Sequence, residues 1–484
     1  MKNLILRPED VKGRNKMKDE KTPAEELREK LFASPKHTAL RLDDSEIEKA
    51  FAWCEGYKDF LGKYKTEREV TAFALHKAEE NGFEKFDSSK AYKSGDKVWF
   101  NIKDKAVILA VFGKRPMSDG VKISAAHIDS PRLDLKPNPL YEDLELAMFK
   151  THYYGGIKKY QWTTIPLSLH GVIIRKDGSK LTVSIGDKAG EPQFVITDLL
   201  PHLGAEQSKR TLSQGIKGEE LNVLVGSLPF RSDSGSELVK LNILKLLNEK
   251  YGIVEEDFLS AELELVPAAP VVDIGFDRSI IGGYGHDDRV CAYPALMAAL
   301  DCPNPDYTTV TVLTDKEEIG SLGNTGLSSA YLQFFIEDLA KTQGLEGRDV
   351  LRASECLSAD VNAAMDPTFP SVHDKLNAAM FNRGIVVTKY TGSRGKSDTS
   401  DANAEFVGKL RKLFDDNGVV WQIGELGKVD EGGGGTVAKF VAHLGVDVVD
   451  VGVPVLSMHA PFEQIAKLDV YMAYKAFNVF LNQK

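Results

Sequence analysis

Residues 310–326 read VTVLTDKEEIGSLGNTG. The β-branched and apolar run Val310, Thr311, Val312, Leu313 has the composition of a strand buried on both faces. It stops at Thr314-Asp315, and two adjacent carboxylates, Glu317 and Glu318, follow before a series of glycines. Ending a buried strand in acid is costly unless the charge meets a cation or a proton. In open α/β sheets the ends of strands are where ligands bind. The stretch therefore predicts an α/β sheet whose strand ends gather metal-seeking side chains.

The surrounding pattern supports such a sheet. Strand-like runs at 263–266 and 271–275 precede a helix at about 288–300, and the strand 308–313 follows. Helix signals at 327–341, 401–416, 435–444 and 464–480 alternate with strand runs at 356–359, 419–423 and 448–451, a doubly wound arrangement. Upstream, helices are expected at 43–63 and 66–81, the second opened by a Thr66/Glu69 capping box. Strands are expected at 97–102, 106–111 and 121–126. Between 136 and 255 the texture changes to short β-like runs separated by glycine and Lys-Asp-Gly turns. The expected organisation is a discontinuous α/β domain, residues 1–135 and 256–484, with a doubly wound mixed sheet. An inserted, mostly-β domain spans 136–255.

Composition narrows the functional classes. The chain has 484 residues, 42% apolar and 27% charged, with a formal net charge of −10. No apolar run approaches the roughly 18–20 residues of a membrane span. The first 21 residues, MKNLILRPEDVKGRNKMKDEK, lack the apolar core and small-residue cleavage site of a signal peptide. Cys54, Cys291, Cys302 and Cys356 show no paired spacing, which argues for reduced thiols and a cytoplasmic setting. No Lys/Arg cluster is long enough to track phosphates, so neither nucleic acid nor membrane is an expected partner.

Five segments place acids or histidines after apolar β runs: His127 with Asp129, Asp287-Asp288, Glu317-Glu318, Asp360 and His459. One bridging carboxylate, two histidines and two further carboxylates would hold two Zn²⁺ ions, with one carboxylate left over as a base. Blander readings stand beside this one. Asp287-Asp288 is also a helix N-cap pattern, Asp360 an Asx-turn pattern, and Glu317-Glu318 a solvated turn.

The segments AAHIDSPRLDLKP, HDDRVCAYPAL, TDKEEIGSLGNTG, LSADVNAAMDP and PVLSMHAPFEQ resemble the dinuclear zinc aminopeptidases of the aspartyl aminopeptidase and aminopeptidase I group. They lie in the family's order, and the resemblance covers about 30–480. It implies metalloaminopeptidase chemistry with two Zn²⁺ per subunit, for which Mn²⁺ or Co²⁺ are possible substitutes. By motif position, His127 and His459 are the terminal histidine ligands, Asp287 the bridging carboxylate, Glu318 and Asp360 one ligand to each metal. Glu317 is the general base, and Asp129 orients the His127 imidazole. His202, in TDLLPHLG, matches a histidine projected into a neighbouring subunit's site. The resemblance further implies a dimerising inserted domain, a tetrahedral dodecamer and peptide substrates with a free N-terminus.

Two departures bear on specificity. Aspartyl members carry a lysine after Asn-Arg-Gly that pairs with an acidic substrate. In NRGIVVTKYTG the matching slot is Thr388, with Lys389 one residue later and hence on the other face of a strand. This points to neutral or broad preference, with aspartyl specificity as the alternative. A non-catalytic assembly or cargo-binding role is a further alternative, opposed by the intact acid/histidine set. In EGGGGTVAKF, the N–H groups of Gly433 and Gly434 are candidates for holding substrate backbone, and a tight turn is the competing reading.

Overall fold

The computed structural model describes residues 21–484 apart from Ser34 and Asp233. The signal-peptide reading of the N-terminus falls almost wholly outside them.

A nine-stranded sheet runs through the α/β domain. Its order is Glu84–Lys85, Lys97–Ile102, Ala106–Val111, Thr309–Thr314, Lys122–His127, Glu355–Ala359, Asp447–Gly452, Ile385–Thr388 and Trp421–Ile423. The four strands in the middle, Thr309–Thr314 to Asp447–Gly452, are mutually parallel. Their outer neighbours Ala106–Val111 and Ile385–Thr388 pair antiparallel, so the sheet is mixed.

The continuous apolar runs read from the sequence reflect burial on both faces. In Ala106–Val111, alternate residues Val107, Leu109 and Val111 join one core, while Ala106, Ile108 and Ala110 join the other. Helices Asp44–Lys63, Glu67–Glu80, His286–Leu300, Ala404–Asp416 and Lys467–Leu481 cover the first face. Tyr331–Thr342, Gly347–Arg352 and Ala438–Ala442 cover the second. Full burial of an aromatic such as Phe477 or Phe480 contributes about 1.5–3 kcal/mol each. The Thr66/Glu69 capping box forms as expected at the start of Glu67–Glu80. Among the described residues no helix is long and apolar enough to cross a membrane.

The second sheet has seven antiparallel strands, in the order Lys180–Ile185, Leu167–Ile174, Ala261–Pro267, Arg132–Asp143, Leu146–Tyr154, Val223–Gly226 and Val195–Ile196. The run expected at 263–266 to open the second half of the α/β domain lies here instead, between Leu167–Ile174 and Arg132–Asp143. The β-rich unit thus reaches beyond 136–255 at both ends. A buried strand shows its period in sequence but not which sheet it joins. A third sheet of five short strands, including Asn362–Ala363, Pro454–Leu456 and Glu463–Ala466, lies beside the ends of the central strands.

The helix expected at 435–444 is shortened to Ala438–Ala442. The glycines before it hold a turn: Gly433 has φ +98°, and a Cβ there would meet the Gly392 carbonyl oxygen at 1.8 Å. The Gly433 N–H donates to the Leu426 carbonyl.

Candidate active site

Because the four central strands are parallel, their carboxyl ends share one edge of the sheet. His127 is the last residue of its strand and is in register with Thr314. Glu317 and Glu318 follow Thr314 in a short 3-10 turn, Glu317–Ile319. Asp360 follows Ala359 directly. Asp287 opens the helix His286–Leu300, where the Asp287–Asp288 peptide bond is cis. His459 lies between two strands of the third sheet.

These residues converge. His127 Nε2 is 3.2 Å from Asp287 Oδ1 and 3.6 Å from Asp360 Oδ1. His459 Nε2 is 3.0 Å from Asp287 Oδ2 and 3.6 Å from Glu318 Oε2. Two triads result, His127/Asp287/Asp360 and Asp287/Glu318/His459, in each of which the candidate ligand atoms lie within 4.8 Å of one another. Asp287 belongs to both. Glu317 Oε2 stands at 4.0 Å from His127 Nε2, in neither triad.

The hydrogen bonds around the triads select one imidazole tautomer. His127 Nδ1 donates to the Asp129 carbonyl at 3.0 Å, and His459 Nδ1 donates to the Gly156 carbonyl at 2.7 Å. Each Nε2 is thereby turned as an acceptor toward carboxylates, which are acceptors too. His127 Nε2, Asp287 Oδ1 and Glu318 Oε1 are buried without a hydrogen-bond donor. Buried acceptors facing one another are unstable as a set unless a metal cation, or protons on the two imidazoles, join them. The donor types, nitrogen and carboxylate oxygen, are those zinc takes.

The electrostatics agree. Burial, then the charge of Asp287, pushes the Glu318 carboxyl well above its ordinary range. Burial and the Asp360 and Asp287 charges push Glu317 up to about 8. Burial opposes charge on His459, yet Asp287 and Glu318 raise it to about 11. Glu317, Glu318 and both imidazoles are pushed up. Burial acts to raise the shared Asp287 too, but His127 and His459 outweigh it and hold that carboxyl down. Both directions describe one field that favours added positive charge. Among the described residues, no lysine or arginine pairs with these acids.

The surrounding residues brace this arrangement. The Asp129 carboxylate accepts from the backbone N–H groups of Glu317 (3.1 Å) and Glu318 (3.2 Å) and lies 3.3 Å from His127 Nδ1. Glu463, not singled out from sequence, accepts from the N–H groups of Asp287 (3.1 Å) and His459 (2.6 Å). Its only sequence signal is its place in HAPFE, four residues after His459. Arg289 is fully buried and donates to the carbonyls of Gly285, Tyr64 and Tyr284, so it holds the loop before Asp287 and offers no clamp to a substrate carboxylate.

A cavity of about 240 Å³ opens beside the cluster. Asp287, Glu317, Asp360, Thr388, Gly433 and Gly434 line it. Lys389 does not: its ammonium is partly exposed and pairs with Asp401 at 2.7 Å. His202 lies exposed on the turn Pro201–Leu203 and is not among the lining residues.

Residues 60–481 match the family model described as aminopeptidase I zinc metalloprotease (M18). The chain is 48% identical over 460 residues to a probable M18 family aminopeptidase 1 of Clostridium acetobutylicum, covering 93% of this chain and 99% of that one. The chain belongs to the M18 aminopeptidase family. Its fold matches the crystal structure of aminopeptidase I from Clostridium acetobutylicum, with a TM-score of 0.89, 46% identity and coverage of 94% and 100% of the two chains. The M18 aminopeptidase from Thermotoga maritima superposes at a TM-score of 0.88 with 43% identity, over 94% of this chain and 100% of that one. The protein is accordingly a metal-dependent aminopeptidase with a zinc metallopeptidase fold.

Proposed function

We propose that this M18 aminopeptidase uses two zinc ions, one held by His127, Asp287 and Asp360 and the other by Asp287, Glu318 and His459, with Asp287 common to both. The observation carrying this reading is the pair of triads sharing Asp287, with buried acceptor atoms facing inward. Bound there, the ions would lower the pKa of a water and polarise the scissile carbonyl. Glu317 stands outside both triads and lines the cavity, the position of a base. Its carboxylate takes a proton from the attacking water and returns it to the leaving amine nitrogen. Asp129 holds the backbone of Glu317 and Glu318 during that exchange. Manganese or cobalt suits the same ligands.

The cavity supports neutral or broad N-terminal preference. Val361, Leu426 and Met458 supply apolar surface, Thr388 and Thr391 supply hydroxyls, and Asp450 adds an acid. Among the described residues no lysine or arginine lines it, so an acidic substrate side chain would find no partner. Gly433 and Gly434 form one wall. The Gly433 N–H is taken by Leu426, which favours the turn reading for that residue.

Self-association accompanies this reading. The inserted domain exposes Leu199, Leu200, Leu203, Leu212 and Leu228, each more than half exposed. The solved mApe1 of S. cerevisiae, 21% identical with a TM-score of 0.71, is a dodecamer. Dimers through the inserted domain, building a tetrahedral dodecamer, would place His202 where a neighbouring site could use it. The four cysteines are buried and unpaired, consistent with a cytoplasmic enzyme.

The test is a panel of aminoacyl amides with the wild type and Glu317→Gln. The variant keeps its zinc, measured by elemental analysis, while kcat falls about 10²–10⁴-fold. Wild-type turnover by the variant refutes the base, and equal cleavage of N-acetylated peptides refutes the free-amine requirement.

A further inference from the structure

Three consecutive residues at the end of the inserted-domain strand Leu146–Tyr154 reach across the domain boundary into the cluster. The Tyr154 hydroxyl donates to Asp129 Oδ2 at 2.8 Å. A Cβ on Gly155, whose φ is +78°, would lie 3.1 Å from Glu318 Oε2, so only glycine passes there easily. The Gly156 carbonyl accepts from His459 Nδ1 at 2.7 Å. The segment therefore touches Glu318 and His459 of the second triad directly, and reaches His127 of the first through Asp129.

Tyr154 is firmly held. It is buried, sits opposite Arg132 in the sheet register, and packs under that guanidinium at 3.9 Å from the ring centroid. Arg132 is itself fixed by Asp134 (2.8 Å), Glu67 (3.2 Å) and Glu264 (3.4 Å). Glu67 comes from a helix of the α/β domain, and Asp134 and Glu264 come from the second sheet. The hydroxyl is thus presented from the junction where the two domains meet.

Asp129 is the point on which that hydroxyl acts. Its two oxygens receive the N–H groups of Glu317 and Glu318 and the phenol, and Oδ1 stands beside His127 Nδ1. Of these donors only the phenol is a side chain from the inserted domain. Without it, Oδ2 keeps a single backbone donor at 3.2 Å. The carboxylate then gains rotational freedom, and with it the turn that presents Glu317 and the ring that presents His127. Partners that orient metal-binding groups from behind alter metal affinity or activity by about 10–100-fold when removed.

We propose that Tyr154 is a positioning residue for the hydrolysis: through Asp129 it fixes the turn carrying Glu317 and Glu318, and with Gly156 it ties metal occupancy to the docking of the inserted domain. This rests on the two-zinc, Glu317-base reading. Because linkage is reciprocal, zinc binding must in turn tighten residues 152–157 against the cluster.

Tyr154→Phe keeps the ring and its stacking on Arg132 and deletes only the hydroxyl. In the fully zinc-loaded variant kcat is expected to fall at least about 10-fold with KM within about twofold of wild type. Zinc affinity, read by competition with a chromophoric chelator, is expected to fall about 10-fold. Combined with Asp129→Asn the losses in kcat should be markedly less than multiplicative, since both act through one carboxylate. In the wild type, hydrogen exchange at residues 152–157 should slow on zinc addition. Unchanged kcat and zinc affinity in Tyr154→Phe overturn the proposal, as do multiplicative losses in the double variant. Exchange that ignores zinc does so as well, even where a variant fails to fold. A wild type that binds zinc but releases no N-terminal residue from any panel substrate would defeat the underlying mechanism instead. Zinc affinity and exchange would then still report on Tyr154.

Discussion

Two clusters of buried charge lie side by side, and they are built on opposite plans. At the strand ends, Asp129, Asp287, Asp288, Glu317, Glu318 and Asp360 surround only two imidazoles, with orphaned acceptors facing inward. At the junction with the inserted sheet, Arg132, Lys105 and Arg68 interleave with Glu67, Glu264, Glu262 and Asp134. The second cluster sets three cations against four acids, though Glu67 Oε1 and Glu264 Oε2 also lack a hydrogen-bond donor. Among the described residues, no lysine or arginine pairs with the acids of the first. A buried network that satisfies itself serves the fold, whereas one left short of positive charge marks a place for a ligand.

Removing one member should have opposite consequences in the two clusters. Arg132→Met strips the partner from two buried carboxylates and should destabilise the zinc-loaded protein by about 3–5 kcal/mol in urea unfolding. Glu317→Gln removes one like charge from a crowded site and should leave stability unchanged or raise it by about 1 kcal/mol while activity is lost. If Arg132→Met is neutral, or Glu317→Gln unfolds the protein, the distinction between closed and open charge fails.

One side of this contrast, the acid-rich strand ends, was legible in the sequence, and the limits of that legibility are physical. Runs such as Val310 to Leu313, followed by acids, show a buried strand with a polar end because both properties are local. Three of the five acid or histidine segments, His127, Glu317-Glu318 and Asp360, converge because parallel strands present their carboxyl ends on one edge. Asp287 and His459 reach the same place from a helix start and from the third sheet. The division of labour between Glu317 and Glu318 is not local: adjacent residues differ in role only through what surrounds them. Glu463 is signalled only by its place four residues after His459, and Tyr154 and the Gly156 carbonyl act across sheets with nothing in their own neighbourhoods to signal it. The same holds for Ala261–Pro267, whose period reads as a strand while its partners Leu167–Ile174 and Arg132–Asp143 place it in the seven-stranded sheet.

A second ion-paired site at the junction sharpens the comparison through pH. His170, buried on the inserted sheet, has Nδ1 at 2.8 Å from Glu69 and Nε2 at 2.8 Å from Asp187, and Lys65 pairs with the same Asp187 at 2.6 Å. Burial works against the imidazolium, but the two carboxylates raise His170 to about 9 from its ordinary value of 6.5. A folded-state pKa above the unfolded one gives stability that is complete below about 6.5 and fades as pH rises through 9. His170→Gln should therefore cost about 2–3 kcal/mol at pH 6 and under about 0.5 kcal/mol at pH 9.5. A loss that is equal at both values would show that packing, and not the closed charge, holds the junction.

The smallest effect belongs to Lys389. It sits one residue from the cavity-lining Thr388, yet its ammonium is engaged with Asp401 outside the cavity. A partly exposed pair of this kind contributes about 0–1 kcal/mol and leaves the field inside the cavity nearly untouched. Lys389→Ala should thus keep the ratio of kcat/KM for aspartyl and leucyl amides within about twofold of wild type. A selective tenfold loss on the aspartyl substrate would mean that the lysine swings inward during turnover. The open cluster would then draw a cation from this chain to meet acidic substrates, and aspartyl specificity would replace the neutral reading.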